Sequence, residues 1–198
     1  MIGIIDSNIC NIFSLTNMLK KLKADFKILK SGADLKDVDK IILPGVGAFP
    51  KAMENLKKFG FIEKIINYAG ENKYILGICL GMQLLFEKSI EFGETKGLGL
   101  IPGSIEKINT TMALPHMGWN DLTIKKEIPI LKEVSNGADV YFVHSFMAKT
   151  SDKYIAATTD YDEIIPAVVC NKNIFGTQFH PEKSKKWGEL ILKNFINI

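Results

Sequence analysis

The sequence predicts an α/β fold of three layers (α/β/α), with helices on both faces of a largely parallel central sheet to which antiparallel strands are added. Two observations support this prediction. The first half of the chain alternates short apolar runs with amphipathic segments, the pattern of parallel strands joined by helical crossovers. After Gly93, short β-prone stretches joined by turn-rich segments follow, as antiparallel strands require. No repeat or linker divides the 198 residues, so we expect one domain over residues 1–198.

Each element has its own signal. Short apolar runs predict strands in the first half at residues 2–6, 26–29, 40–44 and 74–78. Apolar residues three or four apart predict helices at residues 12–22, 51–59, 61–69 and 80–88. The β-prone stretches of the second half are residues 104–108, 122–125, 140–143, 154–159, 167–170 and 174–179. An amphipathic helix at about 185–196 closes the domain.

Composition excludes several classes of protein. The 25 lysines (arginine is absent) and 22 acidic residues leave a net charge of +3, too weak an excess for a nucleic-acid-binding face. No apolar run is long enough to span a membrane, and the N-terminus lacks the basic-then-apolar build of a signal peptide. Three widely spaced cysteines do not make a disulfide framework, so we expect a cytoplasmic protein. We expect no metal and no cofactor.

The sharpest motif is Gly-Ile-Cys-Leu-Gly at residues 77–81, between the fourth predicted strand and the helix after it. Flanking glycines at a strand-to-helix turn follow the logic of the nucleophile elbow, with the sulfur of Cys79 in place of a serine hydroxyl. The helix N-terminus favours a thiolate, and the backbone N–H of Leu80 is placed to stabilise an oxyanion. A buried structural cysteine in a glycine-containing turn fits this spacing equally well.

A second motif, His-Pro-Glu at residues 180–182, favours the catalytic interpretation. Residues two apart in an extended chain point to the same side, so Glu182 can fix the tautomer of His180 and stabilise its imidazolium. The other ring nitrogen of His180 would then face a cysteine that folding brings near. A lone histidine is more often structural, but together with the elbow a triad of Cys79, His180 and Glu182 is the better interpretation.

Two further features complete the candidate site. The loop at residues 44–49 (Pro-Gly-Val-Gly-Ala-Phe) has glycines that allow a peptide N–H of the Val46–Gly47 region to turn toward an oxyanion. Gln83 lies four residues after Cys79 on the same helix face, where its amide can bind a polar substrate. Each signal is weak alone, because such loops are common and an exposed glutamine is an ordinary surface residue.

Together these motifs resemble those of the class I, or triad, glutamine amidotransferases, and the likeness is greatest to the glutaminase subunits of imidazole glycerol phosphate synthase. The likeness runs essentially from end to end. The segments that carry it are residues 43–49 (Leu-Pro-Gly-Val-Gly-Ala-Phe), 115–120 (Pro-His-Met-Gly-Trp-Asn), 141–145 (Tyr-Phe-Val-His-Ser) and 178–184 (Gln-Phe-His-Pro-Glu-Lys-Ser). The resemblance implies a flavodoxin-like glutamine amidotransferase domain.

The resemblance also implies the chemistry. Cys79 would attack the side-chain amide of glutamine, His180 would move the proton, Glu182 would orient His180, and water would release glutamate from the thioester. The residues implied to hold glutamine are Gly47, Gln83 and the backbone around Ser145 and Phe146. The groups implied to meet the oxyanion are the N–H of Leu80 and one N–H from Val46 or Gly47.

The same resemblance implies a partner subunit. Ammonia would pass through a tunnel into a (β/α)₈-barrel subunit that closes an imidazole ring on a phosphoribosyl substrate, the two chains forming a heterodimer. Trp119, Tyr141 and Lys183 match family positions at or near that interface; core aromatics and a solvated lysine are the alternatives. We favour the interface for Trp119 because residues 116–120 look turn-like after Pro115.

One departure leaves the partner open. The family usually has Asp-Tyr-Gly-x-Gly-Asn after the first strand, whereas this chain has Asp-Ser-Asn-Ile-Cys-Asn at residues 6–11. Both glycine positions carry side chains, so we expect a less permissive loop path. Related subunits that feed ammonia to similar barrels making amino or amidino sugars are therefore an alternative. An unrelated cysteine hydrolase and a non-catalytic regulatory subunit are weaker ones.

Overall fold

The computed structural model describes residues 1–8 and 11–198, and its first half alternates strands and helices as the sequence predicts. The strands of this half are β1 (Ile2–Ile5), β2 (Phe26–Leu29), β3 (Lys40–Gly45) and β4 (Tyr74–Cys79). The α-helices are α1 (Ile12–Lys21), α2 (Phe49–Lys58), α3 (Ile62–Gly70) and α4 (Leu80–Leu84). Most predicted boundaries are confirmed to within two residues.

The second half consists mainly of strands. They are β5 (Phe86–Ser89), β6 (Thr95–Lys96), β7 (Ile101–Lys107), β8 (His116–Ile124), β9 (Ala138–His144), β10 (Phe146–Lys149), β11 (Ile155–Asp160), β12 (Ile164–Asn171) and β13 (Ile174–Thr177). The helix α5 (Lys185–Asn197) follows, and short 3₁₀ turns lie at Gly32–Asp37, Pro129–Leu131, Asp152–Tyr154 and Pro181–Lys183. Among the helices of the described residues, none combines the length and the apolar character needed to cross a membrane.

The central sheet brings distant parts of the chain to one edge. Within the described residues its strand order is β2-β1-β3-β4-β13-β12-β11-β8-β9, with parallel pairing from β2 through β13 and antiparallel pairing beyond. β13 therefore runs parallel to β4 and beside it. Because the carboxyl ends of parallel strands meet at the same edge, the segments that follow β3, β4 and β13 converge there.

Helices cover both faces of this sheet, which confirms the three-layer prediction. On one face, α1 and α5 bury Leu19, Leu192 and Phe195 with sheet residues such as Ile42. On the other face, α2 and α3 pack Leu56, Ile65 and their neighbours against sheet residues that include Ile41 and Ile75. The apolar stripe of each helix supplies the burial that holds it to the sheet.

The predicted helix at residues 80–88 is too long. The helix ends at Leu84, and the chain continues as β5 in a second sheet of order β10-β7-β5-β6. Leu84, Leu85 and Phe86 are consecutive and all at most 1% exposed. All five residues of α4 are buried as well, so the continuous burial offers no exposed face by which the sequence could separate the helix from the strand that follows it.

The expected turn at residues 116–120 is wrong as well. These residues begin β8, which pairs with β9 so that His116 faces His144 and Trp119 faces Tyr141. Gly118 has φ +148°, a value that favours glycine. The glycine that suggested a turn instead allows an unusual backbone angle within the strand.

Candidate active site

Cys79 lies at a strained turn from β4 into α4, with φ +54° and ψ −112°. Close backbone approaches make this turn possible. A Cβ placed on Gly77 would lie 2.6 Å from the carbonyl oxygen of Gly81, and one placed on Gly81 would lie 1.7 Å from that of Leu43. Both positions therefore require glycine, and the turn holds Cys79 at the edge of the sheet where the segments after β3 and β13 converge.

Glu182 stands behind His180, although Pro181–Lys183 forms a 3₁₀ turn and not the extended chain from which this contact is predicted. Nδ1 of His180 donates to Oε1 of Glu182 at 2.8 Å, and the two side chains are 3% and 4% exposed. Nε2 of His180 is buried and has no hydrogen-bond partner among the described residues. Burial lowers the pKa of His180, but the side chains of Cys79 and Glu182 outweigh burial and raise this pKa to about 10.

The sulfur of Cys79 is not walled in by aliphatic groups. Polar groups contact it, namely the carbonyl oxygen of Val143 at 3.9 Å and Nε2 of Gln178 at 3.8 Å. Cys79 and His180 also line the same pocket, whose volume is about 400 Å³. The thiol and the imidazole thus face one pocket large enough for a small molecule.

This pocket gathers most of the residues that the sequence nominated. Besides Cys79 and His180, those in its wall are Val46, Gly47, Leu80, Gln83, Ser145 and Phe146. Sequence reasoning missed four others, which are Glu91, Pro115, Val143 and His144. Glu182 is not in the wall but behind His180, where an orienting carboxylate belongs.

Gln83 uses both protons of its amide within the protein. Its Nε2 donates to the carbonyl oxygen of Phe146 at 3.0 Å and to Oε1 of Gln178 at 3.0 Å. No hydrogen bond within the described residues uses Oε1 of Gln83. The group that Gln83 offers to a bound molecule is therefore an acceptor, which matches the NH₂ of a carboxamide and not a carboxylate.

Gly47 provides the conformation that the loop after β3 needs. Its φ is +89°, which favours glycine, and a Cβ added there would meet nothing within 4 Å. The requirement is therefore one of backbone conformation and not of space. The neighbouring Val46 is 38% exposed.

A buried pair of histidines supports the wall at Phe146. Nδ1 of His144 lies 2.8 Å from the carbonyl oxygen of Phe146, and its Nε2 lies 3.1 Å from Nδ1 of His116. The ring of His116 stacks on those of Phe142 and Tyr161, with centroids 4.7 and 4.0 Å away. Burial lowers the pKa of His144 to about 3 and also lowers that of His116, so both rings are neutral near pH 7.

Comparison with known proteins agrees with the activity that this geometry suggests. The family model for glutamine amidotransferase class-I matches residues 3–198. The chain belongs to the class I glutamine amidotransferases.

Relatives within this family are similar over almost their whole length. Imidazole glycerol phosphate synthase subunit HisH from Caldanaerobacter subterraneus subsp. tengcongensis is 48% identical, over 98% of this chain and 97% of the relative. The subunit of the same name from Lactococcus lactis subsp. lactis is 47% identical, with the same coverage.

Solved structures with much lower sequence identity share the fold. PurLQS from Thermotoga maritima has a TM-score of 0.79 at 20% identity, covering 99% of this chain and 97% of that one. A crystal structure described as glutamine amidotransferase has a TM-score of 0.77 at 17% identity, covering 98% and 96%.

This class I glutamine amidotransferase also carries a surface of aromatic and cationic side chains. The ring of Trp119, which is 44% exposed, lies 5.9 Å from that of Tyr141. Nζ of Lys183 lies 5.7 Å from the Tyr141 ring, and Nζ of Lys185 lies 4.6 Å from the Trp119 ring. The structure thus places the three predicted interface residues on one surface, to which it adds Lys185.

The atypical loop after β1 is described only in part, since Ile9 and Cys10 lie outside the described residues. Ser7 is 2% exposed, and its carbonyl oxygen accepts a hydrogen bond from Nδ2 of Asn55 at 2.7 Å. Asn8 has φ +60°, and its N–H donates to Oδ1 of Asp6 at 3.0 Å. Asparagine tolerates this conformation better than most residues do.

Proposed function

We propose that this protein is the glutaminase subunit of an imidazole glycerol phosphate synthase, and that it makes ammonia from glutamine for a cyclase partner subunit. The proposal depends on one observation above all: the 2.8 Å contact between His180 and Glu182 in a site shared with the strained Cys79. Relatives that are 47% and 48% identical over nearly the whole chain, both named as HisH, support the pathway.

Hydrolysis begins with Cys79. The site reacts as a thiolate beside an imidazolium: His180, whose pKa is raised to about 10, already carries a proton, and the deprotonated sulfur of Cys79 attacks the carboxamide carbon of glutamine. His180 then gives its proton to the leaving nitrogen, so that ammonia departs and a glutamyl thioester remains on Cys79. Water loses a proton to His180 and attacks the thioester, and the sulfur leaves as a thiolate beside the imidazolium while glutamate is released. Glu182 holds Nδ1–H in place and stabilises the imidazolium through both steps.

Two backbone N–H groups are proposed to meet the oxyanion that forms in each step. One is that of Leu80, directly after Cys79 at the start of α4. The other comes from the Val46–Gly47 region, where the positive φ of Gly47 provides the conformational freedom for a peptide to turn toward the pocket. This proposal is supported by the pocket lining, which includes Leu80, Val46 and Gly47 together with Cys79.

The remaining wall residues are proposed to recognise glutamine. Oε1 of Gln83 accepts from the side-chain amide of glutamine, and the backbone of Ser145 and Phe146 holds the rest of the glutamine molecule. Glu91 supplies a carboxylate to the pocket, and its Oε2 also accepts from the N–H of Phe49 at 2.8 Å. We assign Glu91 to the α-ammonium group of glutamine, because a fixed carboxylate is the chemistry that selects an ammonium.

The partner is proposed to be a (β/α)₈ barrel that docks on the surface formed by Trp119, Tyr141 and Lys183. Neutral ammonia must be kept from solvent, where it becomes ammonium and loses its nucleophilicity, and an enclosed path between subunits achieves this. The cytoplasm is the expected compartment, since the mechanism needs Cys79 as a reduced thiol.

The test pairs this chain with the cyclase subunit and measures glutamate release and imidazole glycerol phosphate formation. Cys79→Ala should abolish the glutamine-dependent reaction and leave synthesis from added ammonium intact, whereas Cys170→Ala should retain both. Loss of both activities in Cys79→Ala would mean that Cys79 is structural. Normal glutamate release without imidazole formation would instead assign the ammonia to another acceptor, such as an amino sugar.

A further inference from the structure

Gln178 contacts the reactive sulfur but has no part in the mechanism above. Its side-chain Nε2 lies 3.8 Å from Sγ of Cys79, and its Oε1 accepts from Nε2 of Gln83 at 3.0 Å. The residue is fully buried, and its backbone N–H donates to the carbonyl oxygen of Ala167 at 2.9 Å. Gln178 does not line the pocket, so a direct contact with glutamine does not account for it.

The direction of the Gln178 amide is fixed by a chain of hydrogen bonds that starts at a backbone carbonyl. The carbonyl oxygen of Phe146 can only accept, so the Gln83 amide must turn its nitrogen toward it. That same nitrogen donates to Gln178, which must therefore present its oxygen to Gln83. The opposite end of the Gln178 amide, its N–H, then faces the sulfur of Cys79.

Exchanging the oxygen and nitrogen of the Gln178 amide would break this chain of hydrogen bonds. Its NH₂ would face the N–H of Gln83, and its carbonyl oxygen would face the sulfur. Two donors would meet at one contact, and two electron-rich atoms at the other, inside a fully buried region where unpaired polar groups are costly. The arrangement therefore presents a donor to Cys79 and not an acceptor.

We propose that Gln178 is a positioning residue that stabilises the thiolate of Cys79 and fixes the direction of its sulfur. A donor bonds more strongly to an anionic sulfur than to a neutral thiol, so the contact favours ionisation of Cys79 before glutamine is attacked. The inference relies on the proposed role of Cys79 as nucleophile. It adds that two side-chain amides prepare the nucleophile. Gln83, which lines the pocket, orients Gln178, and Gln178 donates to the sulfur of Cys79.

The test measures how fast iodoacetamide modifies Cys79 in the isolated chain between pH 5 and pH 9, with peptide mass spectrometry to separate Cys79 from the other cysteines. This readout needs neither glutamine nor a partner. Gln178→Met keeps the length of the side chain but has no donor, and it should slow modification at pH 7 by about tenfold, the loss expected for one hydrogen bond to a charged group. Gln178→Glu, which places an acceptor at the sulfur, should slow it further.

Two comparisons separate this role from a structural one. Asn173→Leu removes a side chain that donates to the carbonyl oxygens of Ala69 and Lys73, at the opposite end of β13, and it should leave the pH dependence at Cys79 unchanged. In the complex, Gln178→Met should lower kcat for glutamine while KM stays near the wild-type value, because Gln178 is not in the pocket wall.

A measurement on the unsubstituted side chain covers the case in which Gln178 variants do not fold. The side-chain amide resonance of Gln178 should shift as Cys79 ionises, and this shift should vanish in Cys79→Ser. Wild-type alkylation in a folded Gln178→Met, or an amide resonance that ignores Cys79, would overturn the inference and leave the proposed glutaminase intact. If Cys79 of the wild type resisted alkylation at every pH, the proposed role of Cys79 as nucleophile would fail together with this inference.

Discussion

The backbones of Tyr141 and His180 are joined on both sides of the histidine. The N–H of His180 donates to the carbonyl oxygen of Tyr141 at 2.9 Å. Ser184 completes the connection, since its Oγ donates to the carbonyl oxygen of His180 at 2.6 Å and accepts from the N–H of Tyr141 at 2.9 Å. The surface proposed for the partner and the proposed general base are therefore held by the same hydrogen bonds, so a displacement of one backbone is transmitted to the other.

Ser184→Ala should weaken this connection. The substitution leaves the N–H of Tyr141 without its partner, at a cost of about 1–3 kcal/mol, and frees the carbonyl of His180. We expect partner-stimulated glutamine hydrolysis to fall by about tenfold, the rate equivalent of about 1.4 kcal/mol, with little change in KM because Ser184 is not in the pocket wall. Ser135→Ala, at an exposed position, is the control. Equal stimulation of both variants would contradict the role of Ser184.

Gly81→Ala should prevent the elbow from forming. The added Cβ would lie 1.7 Å from the carbonyl oxygen of Leu43, so β3 and α4 would have to separate. We expect destabilisation of more than about 4 kcal/mol, measured by urea unfolding, or loss of soluble protein. Gly70→Ala is the matched control: nothing lies within 4 Å of its added Cβ, and alanine in a helix should be neutral or stabilise by up to about 1 kcal/mol. Similar stability of the two variants would show that the close approach is tolerated.

The triad residues could be predicted from the sequence because their signals are local. The glycines on either side of Cys79 indicate the turn, and the short separation of His180 and Glu182 in the chain keeps their side chains within reach of each other, even though Pro181–Lys183 is a 3₁₀ turn. The contact between Cys79 and Gln178 has no such signal. It depends on β13 pairing with β4, and those strands are almost 100 residues apart in the sequence.

Glu91 was missed for a related reason. It follows β5, which belongs to the second sheet, whereas the sequence pattern predicts that a helix ends there. Continuous burial through α4 and on to Phe86 removes the alternation of buried and exposed positions that distinguishes a strand from a helix. The residue reaches the pocket through long-range packing that no local pattern encodes.

Glu91→Gln should weaken glutamine binding. If Glu91 pairs with the α-ammonium group, removing its charge should raise KM by about tenfold while kcat stays within about twofold of wild type. The sharper measurement compares glutamine with its analogue that lacks the α-amino group: the wild type should prefer glutamine, and the variant should lose most of that preference. Glu94→Gln, which removes an exposed carboxylate outside the pocket, should behave as wild type. An unchanged preference in Glu91→Gln would assign the ammonium to another group.

The pKa of His180 makes stability depend on pH in a defined direction. Folding raises this pKa from 6.5 to about 10, so the folded chain holds a proton that the unfolded chain lacks between these values. The stabilisation is fully present below pH 6.5 and is lost as pH rises toward 10. Relative to His180→Gln, the wild type should lose up to about 1.4 kcal/mol of unfolding free energy per pH unit between pH 7 and 9.

Urea unfolding of both proteins at several pH values measures this difference in slope. His116→Gln is the control, because burial lowers the pKa of His116 and the ring is neutral in both states above pH 6.5. Its slope should therefore match that of the wild type, even though the variant loses the contact with His144. Cys79→Ala should reduce the wild-type slope, since the Cys79 side chain helps to raise the pKa of His180. Parallel curves for wild type and His180→Gln would mean that folding adds no net proton at this site, because the imidazole is neutral or because its proton comes from Cys79.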